Sequence, residues 1–436
     1  MTALTVPGIV VVYHRPDYKL TPRPFTDAAT VREHIHAFAA HSRFAVWEIN
    51  TDTGFPRGLA ELKPSILMLH YSMFGSGLSL LGEQMHEFVR SSDAFKVAFF
   101  QDEFQYCRHR FGLVNDLGID LVYTHVRPQD IPEVWGRFAP RTTARFNYPG
   151  YVDHTMLDAA RAYALPQGER DIDVGYRGRP LPPVMGSGAL EKSIIGERFS
   201  ELARATNLRV DIDTSEEGRL YGPAWYRFLG RCRAVLGVES GTSYLDLEDE
   251  VRLDYDKRVA EGRPVTLEAL NEGPLGRWDH NFSYRTISPR HFEAAAFRIC
   301  QVLFEGEYSG VLQPMVHYLP LKKDFSNFGQ VVSWLGEAHV RQEIVENAHR
   351  DLIRSGRYSY ERFVRDVDDE LVAAGLNTAI EPAQRALVDG ALRRGRVRRR
   401  ARTEARYLHY AALGVVARLL LRFRTARGRL RSLRLS

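Results

Sequence analysis

Short apolar runs rich in β-branched residues recur along the first half of the chain at 8–14, 43–48, 65–70, 96–101 and 119–124, separated by polar stretches long enough for crossover helices. That spacing predicts a parallel sheet covered on both faces. A second series follows at 172–177, 208–212, 234–238, 302–304 and 317–321. Between the two lies Ala164-Leu165-Pro166-Gln167-Gly168-Glu169-Arg170, which has the Pro/Gly chemistry of a linker. The pattern therefore predicts two doubly wound, Rossmann-like α/β domains at residues 1–165 and 170–335 with a cleft between them. Closing helices are expected over 336–390, where Ile344, Ala348, Leu352, Phe363 and Val367 alternate with charges at helical spacing. The polar stretch 249–285 is long for a connection inside a compact domain and is expected to be a functional loop.

Composition sharpens this picture in two places. The chain has 436 residues and 44% hydrophobic positions, enough for two cores. Its three cysteines, Cys107, Cys232 and Cys300, are far apart and match no metal-ligand spacing, which points to core positions in a reducing compartment. The run at 6–13 lacks the basic flank and small-residue cleavage pattern of a signal peptide, and no stretch reaches the roughly 18 apolar residues of a membrane span. A cytoplasmic body is expected. The net charge of +5 conceals an asymmetry, since residues 391–436 hold fifteen arginines against one acid, Glu404. An acidic body thus carries a strongly basic tail.

The densest candidate chemistry lies at 288–310. Ser288 and Pro289 make a helix start, N-cap and first helical position, which places Glu293 near the beginning of that helix with Arg290 one turn before it. The following run, 300–304, reads as a buried strand delivering Glu305, Tyr308, Ser309 and Gly310 to a loop at the carboxyl edge of the sheet, where ligands of open α/β sheets bind. A second small polar loop, Glu239-Ser240-Gly241-Thr242-Ser243, follows the run at 234–238 at the same edge. In the first domain His70 and Asp102 stand at strand ends, where either is placed to act as a general base toward an acceptor hydroxyl.

The second half resembles the nucleotide-sugar domain of GT-B fold glycosyltransferases, in particular the bacterial group 1 class and relatives with spore-coat-like glycosyltransferase domains. Three matches in order carry the resemblance. They are Asp173-Val174-Gly175-Tyr176-Arg177-Gly178-Arg179 with Glu191-Lys192, then Phe292-Glu293-Ala294-Ala295-Ala296, then Asp324-Phe325-Ser326-Asn327 with Asn347-Ala348. The resemblance implies a nucleotide-sugar co-substrate and no other cofactor, with Glu293 on the ribose and Arg179 and Lys192 on the donor diphosphate. Chemistry agrees: a carboxylate accepts two ribose hydroxyls, while an Arg fork and a Lys point charge neutralise phosphate. One departure stands out. The family places another Glu eight positions before Glu293, and this chain has Arg285 there.

The resemblance implies transfer of a sugar to a surface-polysaccharide or lipid-linked acceptor without a metal, with retention at the anomeric carbon. A sugar-nucleotide epimerase of the same architecture, or a noncatalytic polyanion-binding scaffold, remains as an alternative. The triplets Asp171-Ile172-Asp173 and Asp211-Ile212-Asp213 lie within expected strands, which argues against a metal site. In the tail, Leu408, Ala412, Val415, Leu419 and Phe423 recur at helical spacing among arginines. Such an amphipathic basic helix suits the anionic inner face of a membrane. Nucleic acid is the rival for so much positive charge, but residues 413–421 are too apolar for a solvated arm. Packing against the body is the third option.

Overall fold

The computed structural model describes residues 4–16, 29–74, 80–410 and 412. Its first six strands are β1 (Leu4–Tyr13), β2 (Val46–Asn50), β3 (Leu62–Leu69), β4 (Phe95–Phe99), β5 (Leu121–Thr124) and β6 (Thr143–Phe146), all parallel in the order β2-β1-β3-β4-β5-β6. The central position of β1 follows from its composition. Val6 and Ile9 to Val12 are all buried, as a strand covered on both faces requires. β6 is an edge strand with half-exposed side chains, and its Thr143-Ala144-Arg145-Phe146 pattern carries too few apolar positions to announce it.

The second sheet contains β7 (Ile172–Arg177), β8 (Val210–Asp213), β9 (Cys232–Gly237), β12 (Cys300–Phe304) and β13 (Leu319–Leu321), again all parallel, in the order β13-β12-β9-β7-β8. A short antiparallel pair, β10 (Ser240–Thr242) and β11 (Tyr284–Thr286), stands beside it. Both parallel sheets are doubly wound, and each reverses direction between its first and third strands. That reversal opens a crevice at the carboxyl edge. Apolar clusters cover both faces of each sheet. At Gly175 in β7 a Cβ would stand 2.4 Å from Cys232 Sγ, so β7 and the element beside it approach this closely only because the residue is glycine.

Residues 249–285 are helical over Glu250–Ala260, Leu267–Asn271 and Pro274–Trp278, and Val251, Leu270 and Leu275 form a small core with Val184 and Tyr244. Their burial makes this segment a folded cap rather than an open loop. The expected closing helices divide between the two bodies. Ala338–Ala348 stays on the second, while Tyr360–Ala373 crosses back and buries Phe363, Val364, Val367 and Leu371 against Ile9, Phe38 and Phe99 of the first. Pro382–Arg393 also joins the first body, through Val388 and Ala391.

Where the chain recrosses, Val152 N–H donates to Tyr358 O (2.8 Å) and Tyr360 N–H donates to Val152 O (3.0 Å). The returning helix is then held by Asp368. This buried carboxylate accepts from Ser42 Oγ (2.8 Å) and from Arg43 N–H (2.6 Å). Asp368→Ala leaves both donors unpaired and is expected to cost about 2 kcal/mol, read as a lower urea midpoint with an unchanged slope.

Candidate functional site

A cleft of about 810 Å³ opens between the carboxyl edges of the two sheets. The first body contributes Tyr71 and Ser72 after β3 and Gln101, Asp102, Phe104, Gln105 and Tyr106 after β4. The second contributes Gly175 to Arg179 at the end of β7 and Val235 to Val238 at the end of β9, the two strands that flank its switch point. Among the described residues six cationic side chains line the cleft, namely Arg110, Arg177, Arg179, Lys192, Arg219 and Arg290, against a single carboxylate, Asp102.

These cations are not equivalent. Arg177 is spent on Asp211 (2.6 Å) and stacks over Phe228, and Arg219 pairs with Glu216. Arg110 is buried and donates to the carbonyls of Gln105 (3.1 Å), Phe74 (3.3 Å) and Asp102 (3.3 Å). It thereby clamps a loop in which Asp102 and Tyr106 both adopt left-handed backbone, φ 54° and 55°. Conformations of this kind cost roughly 1–3 kcal/mol each and persist only where surrounding contacts hold them. Arg290 donates to Arg177 O and lies 5.1 Å over the Trp225 ring.

The side chains of Arg179 and Lys192 make no hydrogen bond or ion pair among the described residues. Lys192 sits on the helix Ser187–Ala203, which packs over the end of β7 through Tyr176 Oη donating to Lys192 O (2.8 Å). Burial, and then the Arg290 guanidinium, pull the Lys192 pKa down to about 8. Asp102 opens onto the cleft but stands deep between the two bodies, where desolvation pushes its carboxyl up against the pull of Lys192, Arg110 and Arg179. Gln101 Oε1 is buried with no hydrogen-bond partner among the described residues, so an acceptor on the cleft wall is unused.

Of the residues singled out from sequence, Asp102, Arg179, Lys192, Ser240, Gly241 and Arg290 line the cleft. His70 does not. Its ring is buried against Tyr71 (3.9 Å) and His34 (4.9 Å), Nδ1 accepts from Ser72 N–H (3.0 Å), and burial drives its pKa well down. It shapes the turn that presents Tyr71 and Ser72.

Glu239 is turned away from the cleft, where Oε1 accepts from Tyr308 N–H (2.8 Å) and Oε2 faces Arg285 Nε (3.5 Å). Thr242 is fully buried and donates to Tyr244 O (2.8 Å). The loop after β12 also lies outside. Tyr308 is buried and donates to Phe304 O (2.6 Å), Ser309 Oγ meets Thr286 Oγ1 (2.9 Å), Gly310 completes the turn at φ 71°, and Glu305 is exposed beyond the strand end. This loop is occupied with supporting β11. Arg285, at the position of the missing Glu, donates to Gly188 O (2.7 Å) and pairs with Glu191 and Glu239, so its charge is consumed internally.

Glu293 does not reach the cleft wall. Its Oε2 accepts from Trp225 Nε1 (3.0 Å), and Trp225 and Arg290 form the wall in front of it. Burial pushes the Glu293 carboxyl up to about 7. Glu33, in the same neighbourhood, is pushed up to about 9 by burial and by the Asp153 carboxylate. The strand aspartates are all engaged: Asp171 with Arg231, Asp173 with Arg209 and Arg233, Asp211 with Arg177, and Asp213 with Ser215. Among the described residues no group of three or more His, Cys, Asp or Glu could hold a metal.

Sequence reading overlooked Trp225 and Arg110. The Gly222-Pro223 helix start placing Trp225 in a first turn was the only local signal for it, and Arg110 had none. The first amides of the helix Ser187–Ala203 are capped from the folded insertion and its neighbour, Ser187 N–H by Asp279 (3.2 Å) and Gly188 N–H by Ser243 Oγ (3.2 Å). None of residues 249–285 lines the cleft.

No family model matches the chain, and no curated protein matches it in sequence. Among solved structures it is similar to TarM, with 10% identity and a TM-score of 0.40 over 72% of this chain and 55% of that one; the chain thus spans about half the length of TarM. It is also similar to an alpha-glucosyltransferase in complex with UDP and a 13-mer DNA containing an HMU base (9% identity, TM-score 0.48, 85% of this chain and 100% of that one). A third is sucrose-phosphate synthase from Thermosynechococcus elongatus (11% identity, TM-score 0.44, 85% and 100%).

Because the Glu293 pKa is raised in the folded state, the native protein favours its protonated form. Stability from this group is full below about pH 4.5 and is lost as pH rises through about 7. Glu293→Gln is therefore expected to match the parent near pH 5 and to exceed it by about 1–3 kcal/mol at pH 8, measured by urea unfolding at the two pH values.

Proposed function

We propose that the chain is a metal-independent glycosyltransferase that moves a sugar from a nucleotide-sugar donor to a glycan or lipid-linked acceptor. One observation carries the reading. Arg179 and Lys192, neither of them paired, face a cleft formed at the switch point of one doubly wound sheet and closed by the carboxyl edge of another. A dianionic diphosphate is the ligand that such charge suits, and Arg290 adds a third cation at the same edge. Departure of a nucleoside diphosphate builds negative charge on its terminal phosphate, and fixed cations in a partly desolvated cleft stabilise it as it forms. The aromatic wall of Trp225 and Phe228 suits the flat face of a base or sugar.

In this reading Glu293 acts on the donor through Trp225, which it holds, rather than by touching the ribose. Ser240 and Gly241 offer a hydroxyl and a close-approach backbone on the donor side. Asp102, Tyr71, Ser72 and Gln101 form the acceptor side. Retention is proposed on the sequence resemblance. The charge of the basic tail supports a location at the anionic inner face of a membrane; among the described residues no helix is long and apolar enough to cross a membrane. Residues 396–410 are helical and are tied to the first body, with Arg406 Nη2 (2.5 Å) and Tyr407 Oη (2.8 Å) both on Asp52. The expected apolar stretch at 413–421 lies outside the described residues.

Thermal shift against UDP-, GDP- and ADP-sugars is expected to show stabilisation by at least one of them; silence across the panel would refute the assignment. Arg179→Ala and Lys192→Ala should each weaken that response by roughly 10- to 100-fold in affinity, the worth of one charge-assisted hydrogen bond. The anomeric configuration of the product, read by proton NMR, tests retention. Flotation of the full chain with anionic vesicles, compared with a chain ending at Tyr410, tests the membrane assignment.

A further inference from the structure

A second cavity, of about 310 Å³, lies on the first body and shares no lining residue with the interdomain cleft. One wall is the end of β2, with Trp47, Glu48 and Asn50, and the turn carrying Thr53. The other is the start of the basic segment, with Arg393, Arg396, Arg399 and Arg400. We propose that this cavity is a second anion-binding site, built for a phosphate group.

Four guanidinium groups line the cavity with two carboxylates; Arg400 has a partner of its own, and both carboxylates have other work. Glu48 meets His36 Nδ1 (2.9 Å), and Asp389 accepts from Trp47 Nε1 (2.9 Å). Arg393 and Arg396 make no hydrogen bond or ion pair among the described residues. Arg399 is fixed by donating Nη1 to Arg394 O (2.8 Å) and Nη2 to Leu392 O (3.3 Å), while its Nε is buried without a partner. Residues 396, 399 and 400 fall on one face of the 396–410 helix, so their charges converge rather than radiate. Burial, and then the neighbouring Arg396 guanidinium, lower the Arg399 pKa.

The walls are held in place independently of any ligand. Arg394, between Arg393 and Arg396, pairs with Glu61, and Arg406 pairs with Asp52 beyond the cluster. At Gly58 a Cβ would stand 2.1 Å from Ala391 O, so the helix Pro382–Arg393 docks only because this residue is glycine. Convergent guanidinium forks in a preformed pocket of this size match a phosphate better than a carboxylate, because three or more oxygens are available to satisfy them. Such a phosphate is carried either by a lipid headgroup or by a soluble compound.

Titration calorimetry of the full chain with inorganic pyrophosphate tests the site. Two binding events are expected, one in each cavity. Arg393→Ala/Arg396→Ala should lose one event or weaken it at least tenfold, while Arg179→Ala/Lys192→Ala should lose the other. Thr53→Glu, which brings a carboxylate into the cavity from the opposite wall, should reproduce the first loss without altering the arginine segment, and Arg393→Lys/Arg396→Lys should keep both events. Two undiminished events in both the double-alanine and the Thr53→Glu protein would overturn the proposal, as would a single event in the parent that disappears with Arg179 and Lys192. Repeating the titration with phosphatidylcholine vesicles doped with phosphatidic acid separates the sources. Loss of the second event identifies a lipid headgroup, and its persistence identifies a soluble phosphate.

Discussion

The two backbone hydrogen bonds that Val152 shares with Tyr358 and Tyr360 set the geometry on which everything else rests. The chain passes between the two bodies twice, and those bonds tie the outgoing and returning crossings side by side. A single covalent linker would leave the sheets free to turn. Two paired crossings, followed by a helix buried in the first core, bring their carboxyl edges face to face. Only in that arrangement do Asp102 of one body and Lys192 of the other share a cleft.

Charge in the molecule is distributed by the same logic. Most arginines near the cleft are committed locally, Arg177 to Asp211, Arg219 to Glu216 and Arg285 to Glu191 and Glu239. Their value is positional: they hold the β7 and β11 ends and leave Arg179 and Lys192 as the unpaired charge. Arg285 illustrates the point. In place of a carboxylate that would reach toward a sugar, this chain has a guanidinium turned inward against two carboxylates and the carbonyl of Gly188. Among the described residues Asp102 is the only carboxylate that lines the cleft.

The basic segment is equally divided. Its first part is not a free arm, since Thr403, Arg406 and Tyr407 all engage Asp52, and Asp52 lies next to Thr51, whose hydroxyl meets His14 Nδ1 (3.2 Å). His14 N–H in turn donates to Ser72 Oγ (3.0 Å) on the cleft wall. The docked helix and the first body's wall of the cleft are therefore neighbours through a short chain of polar contacts around the ends of β1 and β3.

Periodicity in the sequence was enough to determine ten of the eleven strands of the parallel sheets among the described residues, the two-body organisation and the sheet edge on which the cleft opens, because buried parallel strands must be apolar on both faces and their crossovers must be long. β6 escaped, since an edge strand need bury only part of its surface. Motif order likewise placed Arg179 and Lys192, and the helix start at Ser288-Pro289 placed Arg290, at the cleft they line, since short loops at strand and helix ends set their positions. Tertiary structure alone decided that Glu293 stands behind Trp225, that His70 is enclosed by aromatic rings, and that the loop from Glu305 to Gly310 supports β11. The reason is physical. A sequence pattern specifies which edge a residue occupies, but whether its side chain faces ligand or core depends on partners distant along the chain, and those meet only when the bodies pack.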